Sequence, residues 1–401
     1  IIQKRGFVMM KRKFTQLAVV STLLASILTG CAGEGGSSSS AGGDTIKIGA
    51  NLELSGGVAS FGSSISKGID LAVEEINKDG GVDGKEIEII KVDNKSEGSE
   101  ATSAAIRLTS KDKVTAIIGA ATSGNTVAQA QIANDNKTIL LTPSGTSPNV
   151  TVNEDGSVNE FAFRTSFIDP FQGTVAANFA ANELKIKNVA IYADSSSDYA
   201  KGLAKSFKET FEEAGGKIVA EEAYVTKDTD FRSTLTRIKS AKPDFIFIPG
   251  YYEEVGLIVK QAREMGIDVP LMGADGWDSP KLVELAGAEA LNNTFITNHY
   301  SSEDPDEKIQ TFVKNFSDKY DGASPDAFNA LGYDSVYLLA DAIERAGDLD
   351  TTKIKDALAE TKDLALVSGN VTIDEQHNPI KSATILEYKD GKQVFNTKVN
   401  P

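Results

Sequence analysis

The chain repeats one local pattern along most of its length: a short apolar run, a turn rich in Gly, Ser or Asp, and a segment with helical spacing of apolar residues. The pattern predicts strands at 46–50, 86–93, 114–119, 138–141, 189–192, 217–224 and 245–248. It predicts helices at 66–78 and 99–110, with further helices between the later strands. Nearly continuous apolar strands that alternate with helices are typical of parallel sheets covered on both faces. The sequence therefore predicts an α/β protein with two doubly wound units.

The last hundred residues contain too few elements for a third unit of this kind. Helices are predicted at 306–320, 326–345 and 351–360, followed by short strands at 371–374 and 382–388. We expect these elements to complete the two earlier sheets, so that the chain crosses between two lobes several times.

The domain boundaries follow from this reading. Lobe 1 is expected at 44–167, completed by about 300–374. Lobe 2 is expected at 168–299, completed by about 375–398.

The N-terminal segment carries a different signal. Basic residues at 11–13 precede an apolar stretch at 17–28, and small residues then lead into Cys31, the only cysteine. The stretch is too short for a permanent transmembrane helix, and the pattern resembles a bacterial lipobox. In such signals a peptidase cuts before the cysteine and a diacylglycerol is attached to its sulfur. The alternative is a stray thiol in an irregular N-terminus.

We therefore interpret residues 1–30 as a lipoprotein signal peptide with an N-terminal extension, since Met9 or Met10 is a more natural start than Ile1. Residues 31–43 are nearly all Gly, Ser and Ala, which is the composition of a flexible linker. The expected location is the extracytoplasmic face of the cell membrane, with a lipid anchor at Cys31.

The charge of the chain limits its partners. The formal net charge is −16, and removal of residues 1–30 takes away five basic residues and leaves −21. Such an acidic body argues against a nucleic-acid partner and against electrostatic adhesion to anionic lipid. With one cysteine and two histidines, a His/Cys metal site is disfavoured, and no cofactor is expected.

Two loops after predicted strands favour an anion. In parallel sheets, ligands collect at the carboxyl ends of strands, where loops lead into helix N-termini. The loop at 119–126 has small residues and the Ser123 hydroxyl at such a place, and the Pro/Gly loop at 142–148 follows the next strand. The alternatives are that Ser123 only caps a helix and that 142–148 is an ordinary turn.

Two later loops offer the opposite chemistry. The loop at 250–254 begins Gly-Tyr-Tyr, and its aromatic rings could stack on a ligand. The loop at 273–277 carries Asp275, which could pair with an ammonium group, and the only tryptophan. The alternatives are half-buried tyrosines and simple Asp-Gly turn chemistry. Together the four loops predict a cleft between two lobes whose opposite ends suit a zwitterion.

No catalytic motif accompanies these loops. The sequence has no phosphate-binding GxxxxGK[ST] loop, no nucleophile elbow, no HExxH and no paired carboxylates for acid/base chemistry. We therefore expect reversible binding rather than an enzyme. An α/β enzyme using the same cleft is the alternative.

Segments spread over the whole chain resemble one family, the substrate-binding lipoproteins of branched-chain amino acid ABC transporters of the leucine/isoleucine/valine-binding type. The segments that carry the resemblance are 46–49, 54–62, 77–84, 163–165, 199–204, 250–252 and 271–273. The resemblance covers residues 46 to about 390. It implies the periplasmic-binding-protein type I fold, with two Rossmann-like lobes joined by a multi-strand hinge, and a monomer.

The resemblance also implies roles for individual residues. Ser123 and Thr146 match positions that bind the ligand carboxylate, helped by backbone groups near Ser144 and Gly145. Asp275 matches an acidic position that binds the ammonium and that is glutamate in many relatives. The expected contacts with the rest of the ligand are Phe61, Tyr199, Tyr252, Trp277 and Phe328.

The predicted function is therefore that of an extracytoplasmic substrate-binding protein, which captures a branched-chain amino acid between closing lobes and delivers it to the permease subunits of an ABC importer. Two alternatives stay open. The same fold could bind an amide, urea or an aromatic amino acid, or it could serve as a sensory ligand-binding module.

Overall fold

The computed structural model describes residues 45–400, so the predicted signal segment, the linker and Cys31 lie outside the described residues. The strands are β1 (Ile46–Leu52), β2 (Ile87–Asp93), β3 (Ala116–Gly119), β4 (Ile139–Thr142), β5 (Ala162–Arg164), β6 (Asn188–Asp194), β7 (Lys217–Tyr224), β8 (Phe245–Phe247), β9 (Leu271–Gly273), β10 (Thr294–Asn298), β11 (Leu364–Leu366), β12 (Gly369–Ile373), β13 (Pro379–Ile380), β14 (Ala383–Lys389) and β15 (Lys392–Val399). The helices are α1 (Ala59–Lys78), α2 (Gly98–Arg107), α3 (Ser123–Asp135), α4 (Asp169–Asn178), α5 (Asp198–Glu213), α6 (Arg232–Ser240), α7 (Tyr252–Glu264), α8 (Pro280–Ala286), α9 (Glu307–Lys319), α10 (Ala327–Ala346) and α11 (Thr351–Ala359). None of these helices combines the length and the apolar character needed to cross a membrane.

Most predicted elements agree with these bounds within one or two residues, and the predicted α/β fold class is confirmed. One difference is that α1 begins at Ala59, seven residues before the predicted start. Its first turn is rich in Ser and Gly and has no side-chain cap, so the sequence gives no start signal there. Strands β5, β9, β10, β11, β13 and β15 were not predicted. All but β15 have five residues or fewer, and so short a run shows little periodicity.

The first sheet is entirely parallel and has the strand order β2-β1-β3-β4-β5. This order reverses direction between β1 and β3. Loops that leave the carboxyl ends of such neighbouring strands open a crevice, which is where ligands bind in open α/β sheets. The loops that follow β1 and β3 therefore flank a ligand crevice in lobe 1.

The second sheet repeats the same plan. Its order is β15-β14-β10-β9-β8-β6-β7, with β6 to β10 parallel and β14 and β15 antiparallel at one edge. The order reverses between β6 and β8, so the loops after these strands flank the crevice of lobe 2.

The C-terminal segment is shared between the lobes. As expected, β14 extends the second sheet, but β12 does not complete the first sheet; it pairs with β11 and β13 in a separate three-stranded sheet. Phe163 at the end of the first sheet stacks on His377 of the β12–β13 turn, with ring centroids 4.0 Å apart. The small sheet therefore packs on lobe 1, and the chain leaves it for lobe 2 between residues 380 and 383.

Three chain crossings connect the lobes, after β5, after β10 and between β13 and β14. The buried Lys381 lies in the third crossing, and its Nζ donates to the carbonyl oxygen of Thr165 in the first crossing at 3.3 Å and to Ser368 Oγ. Burial lowers the pKa of Lys381 to about 8. This buried amine ties two of the three hinge segments together.

Helices α1 and α10 pack closely in lobe 1. Gly68 of α1 lies against the backbone of α10, and a Cβ added there would overlap the carbonyl oxygen of Asn329. Gly332 of α10 likewise lies against the backbone of Ile65, where an added Cβ would overlap the carbonyl oxygen. The two glycines allow the helix axes to approach, and α10 thereby carries Phe328 to the interlobe cleft.

We expect Gly68→Ala to lower the free energy of unfolding by about 1–3 kcal/mol, because the added methyl group forces the two helices apart. Urea unfolding measures the change. Ser63→Ala on the exposed face of the same helix is the matched control and should stay within about 0.5 kcal/mol of the parent protein. Equal stability of the two variants would contradict the close packing of α1 on α10.

Candidate functional site

A small cavity lies between the two lobes, with a volume of about 10 Å³. A cavity of this volume holds about one water molecule, so a larger ligand enters only if the lobes separate or the lining side chains move. The lining residues are Phe61, Ala121, Ser123, Ser144, Tyr199, Tyr251, Asp275, Gly276 and Phe328. All but Phe328 lie in the segments that follow β1, β3, β4, β6, β8 and β9, and Phe328 is in the first turn of α10.

Ser123 is the first residue of α3 and lines the lobe 1 side of the cavity. The N-cap is Thr122, and no side chain caps the helix. The Ser123 hydroxyl instead accepts a hydrogen bond from the Ser147 N–H at 3.1 Å, which leaves its own hydrogen free to donate. The first amides of a helix have no acceptor within it, so this end of the cavity suits an anion.

Glu53 fixes the loop that presents Ser123. Its buried carboxylate accepts the N–H groups of Ala121 and Thr122 at 2.8 and 3.1 Å, the Thr122 hydroxyl at 3.0 Å and the Asn125 side chain at 2.8 Å. A loop held by four such bonds is pre-organised before a ligand arrives.

Asp275 lies on the lobe 2 side, directly after β9, and is 2% exposed. Its Oδ1 accepts from Tyr199 OH at 2.7 Å and from Gln172 Nε2 at 3.0 Å, and its Oδ2 lies 3.1 Å from His299 Nε2. The Tyr199 hydroxyl also accepts the Gly276 N–H at 2.9 Å. The carboxylate is therefore held rigidly at the cavity wall.

Burial dominates the electrostatics of this wall. It lowers the pKa of His299, and Asp275 opposes this by its hydrogen bond and charge. Burial also raises the pKa values of Tyr199 and Tyr251 well above the usual range for tyrosine, so both phenols stay protonated. Asp169, fully buried nearby, has a raised pKa for the same reason, with a further contribution from the charge of Asp275.

Aromatic rings form the walls between the two polar ends. In lobe 1, Phe61 stacks on Phe328 with centroids 4.2 Å apart. In lobe 2, Tyr199 stacks on Tyr251 at 5.0 Å, and Phe61 meets the edge of Tyr251 at 5.7 Å across the cleft. The middle of the cavity is therefore suited to an apolar side chain.

The structure brings together six of the residues predicted for the site: Phe61, Ser123, Ser144, Tyr199, Asp275 and Phe328. The Ser144 hydroxyl is already used, since it donates to the Ala121 carbonyl at 2.8 Å.

Four other predicted residues do not line the cavity. Gly145 is held by Thr142 and Arg164, and the fully buried Thr146 has no hydrogen-bond partner for its hydroxyl among residues 45–400. Trp277 is buried in the core of lobe 2, where its Nε1 donates to the Ile248 carbonyl at 2.9 Å.

Tyr252, the fourth, contacts the opposite lobe instead of the cavity. Its hydroxyl donates to the Gly57 carbonyl and accepts the Ser60 N–H, both at 3.2 Å. Ser60 Oγ lies 2.7 Å from Ser279 Oγ of lobe 2. These contacts hold the lobes together, so the structure represents a closed conformation.

Three lining residues were missed by the sequence reasoning: Ala121, Tyr251 and Gly276. All three lie in the loops that the sequence analysis singled out, close to residues predicted for the site. Tyr251 was the harder choice, because either tyrosine of the 250–252 segment could have faced the ligand. Glu53, Gln172 and His299 hold the cavity residues in place, but no local sequence pattern marks them as part of a site.

Across residues 45–400, no group of three or more His, Cys, Asp or Glu side chains is arranged to hold a metal ion.

Comparison with known proteins gives consistent results. The model of a family described as periplasmic binding protein matches residues 45–393. The leucine-, isoleucine-, valine-, threonine-, and alanine-binding protein of Pseudomonas aeruginosa is 30% identical over 356 residues, which are 89% of this chain and 92% of that protein.

Two solved structures are similar over nearly their whole length. The branched-chain amino acid transporter substrate binding protein LivJ from Streptococcus pneumoniae, in complex with isoleucine, is 42% identical with a TM-score of 0.84, covering 89% of this chain and 100% of that one. The leucine binding protein LivK from Thermotoga maritima is 38% identical with a TM-score of 0.84, and the match covers 89% of this chain and 99% of that one.

We expect Glu53→Gln to lower the free energy of unfolding by about 2–3 kcal/mol, because an amide cannot accept all four hydrogen bonds and turns its own N–H groups toward donors. Urea unfolding without ligand measures the effect. Glu160→Gln, which removes an exposed carboxylate before β5, is the control and should leave stability within about 0.5 kcal/mol. An equally small effect at Glu53 would show that the loop does not depend on its charge.

Proposed function

This chain belongs to the periplasmic binding protein family, and we propose that it is the substrate-binding component of an ABC importer that captures branched-chain amino acids. It binds the ligand reversibly between its lobes and hands it to membrane permease subunits. Residues 45–393 match the family model, and the similar proteins described above are named for amino-acid binding or transport.

The observation that carries the proposal is that Ser123 and Asp275 line one cavity from opposite lobes. A free α-amino acid carries a carboxylate and an ammonium on one carbon, so it needs an anion site and a cation site within a short reach. The hydroxyl and helix amides at Ser123 provide the first, and the Asp275 carboxylate provides the second. The aromatic rings of Phe61 and Phe328 provide an apolar surface for the side chain.

Closure makes these contacts strong. Charge-assisted hydrogen bonds are worth more in a cleft from which water is excluded than in open solvent. A net binding free energy of roughly −8 kcal/mol corresponds to a dissociation constant of about 1 μM, which allows both scavenging and release. The ligand stabilises the closed form only by the contacts it gains there, chiefly those with lobe 2.

The lipid anchor is a further part of the proposal. Cys31 follows a signal-like segment, and acylation at its sulfur tethers the protein at the extracytoplasmic face, close to the permease. Stable anchoring requires two or more acyl chains, because one chain holds a protein only marginally. In this proposal the protein acts as a monomer, with one cleft for each ligand.

We expect Asp275→Asn to weaken binding of leucine by about 100-fold or more, because the ligand's ammonium loses its counterion inside a closed cleft, at a cost of about 3 kcal/mol. Isothermal titration calorimetry with leucine, isoleucine and valine measures this.

Asp268→Asn, an exposed acid in the same lobe, is the control and should bind as the parent protein does. Wild-type affinity in the Asp275 variant would remove that residue from the ammonium site. A thermal-shift screen of the twenty amino acids with urea and short amides tests the ligand class, and stabilisation by amides alone would overturn the proposal of an amino-acid ligand.

We expect Cys31→Ser to release the protein from membranes while leaving its affinity for the ligand unchanged, because the hydroxyl does not receive the lipid and lies outside the lobes' sequence. Membrane fractionation after expression in a lipoprotein-processing bacterium measures the first effect and calorimetry the second. Continued membrane association of the variant would rule out anchoring at this cysteine.

A further inference from the structure

The Asp275 carboxylate has one hydrogen-bonding position left for a ligand. An ionised carboxylate offers about four lone-pair sites, two on each oxygen. On Oδ1 both are used, by Tyr199 OH and Gln172 Nε2, while Oδ2 has one partner, His299 Nε2. A ligand's ammonium that bonds to Oδ2 therefore does so beside the His299 ring.

His299 is held firmly in this place. It directly follows β10 in the second chain crossing, is 3% exposed, and stacks on Phe167 with centroids 3.8 Å apart. Because the carboxylate can only accept, Nε2 carries the hydrogen, and Nδ1 is buried without a partner among residues 45–400. The ring is thus a neutral donor in this arrangement, and protonation would add a charge and a buried N–H without an acceptor.

The charged groups that face His299 do not all act in one direction. Asp275 favours the protonated ring through its hydrogen bond and charge, and the charge of Asp278 adds to this. Lys381 of the third crossing opposes it, and burial opposes it most strongly, so the pKa of His299 lies below its usual value. The two aspartates thus offset part of the effect of burial.

We propose that His299 determines the preference of the cleft for an α-ammonium over an α-hydroxyl, by holding Asp275 as a neutral donor and, when protonated, by taking the ammonium's place as counterion. This inference rests on the proposed function, since it concerns ligands that share the carboxylate and side chain of leucine. His299 is a positioning residue, because it acts on the ligand through Asp275.

The direction of the pH dependence follows from charge. A bound ammonium next to Asp275 disfavours a second positive charge on His299, so binding of leucine is linked to release of a proton. The affinity for leucine therefore falls as the pH drops through the pKa of His299 in the free protein. A hydroxy acid brings no positive charge, so its affinity falls less or rises.

The test compares leucine with 2-hydroxy-4-methylpentanoate, which replaces the ammonium by a hydroxyl. Calorimetry gives both affinities between about pH 8 and about pH 5, the range in which histidine changes charge. For the parent protein, we expect the ratio of the two affinities to fall by about tenfold or more toward acidic pH, which corresponds to one unit of pKa difference between free and leucine-bound protein.

His299→Gln separates positioning from titration. Glutamine places an uncharged N–H donor near the position of Nε2, so leucine should bind at about pH 8 within about threefold of the parent. The ratio should depend on pH less than in the parent, and any remaining dependence belongs to other groups such as Asp169. His299→Asn, whose amide is too short to reach Asp275, should weaken leucine binding at every pH. Thermal unfolding checks that both variants are folded, and if the Gln variant does not fold, the same pH comparison is made with His299→Asn, which also lacks the titratable ring.

The outcomes distinguish this inference from the function on which it rests. If the parent protein binds no amino acid at about pH 8, the proposed function fails. If it binds leucine but its preference over the hydroxy acid is the same at both ends of the pH range, or falls equally in His299→Gln, only the role of His299 is overturned.

Discussion

Asp275 is buried between the lobes, and none of its three hydrogen-bonding partners is a permanent cation: they are a phenol, an amide and an imidazole. Neutral donors orient a carboxylate and reduce the cost of its desolvation, but they leave its negative charge in place. The Asp275 carboxylate is therefore stabilised by a positively charged ligand group. Its three partners leave one acceptor position free for that group, on Oδ2. In the proposed function this group is the ammonium of the ligand, and the role proposed for His299 rests on it.

The same topology brings this carboxylate opposite an anion site. Each lobe has a sheet of mainly parallel strands whose order reverses once. The loops at the reversal carry Phe61 and Ser123 in lobe 1 and Tyr199 and Tyr251 in lobe 2, and the next strand of each sheet leads to Ser144 and to Asp275. Glu53 orders the loop on one side, and Gln172 and His299 support the loop on the other. The chemistry of the cleft is thus divided between two units that are similar in plan and opposite in charge preference.

The strands, the helices and the loops with polar residues could be predicted because their signals are local: apolar runs, helical spacing and Gly-rich turns. Which of Tyr251 and Tyr252 faces the cavity could not be predicted. Consecutive residues at the start of a helix point about 100° apart, and a sequence does not locate that start to within one residue. In the structure α7 begins at Tyr252, which faces Gly57, while Tyr251 faces the cavity. Gln172 and His299 lie 103 and 24 residues from Asp275, and only the folded chain brings them to it.

The stack of Phe61 on Phe328 lies wholly within lobe 1, beside the loop that Glu53 holds in place. The slot for the side chain and the anion site are thus finished before closure, whereas the ammonium site belongs to lobe 2. In the proposed mechanism, contacts with lobe 1 act in both the open and the closed form, whereas contacts with lobe 2 act only in the closed form. Evolution can then alter residence time through lobe 2, and with it the rate of hand-over, without altering the contacts with lobe 1.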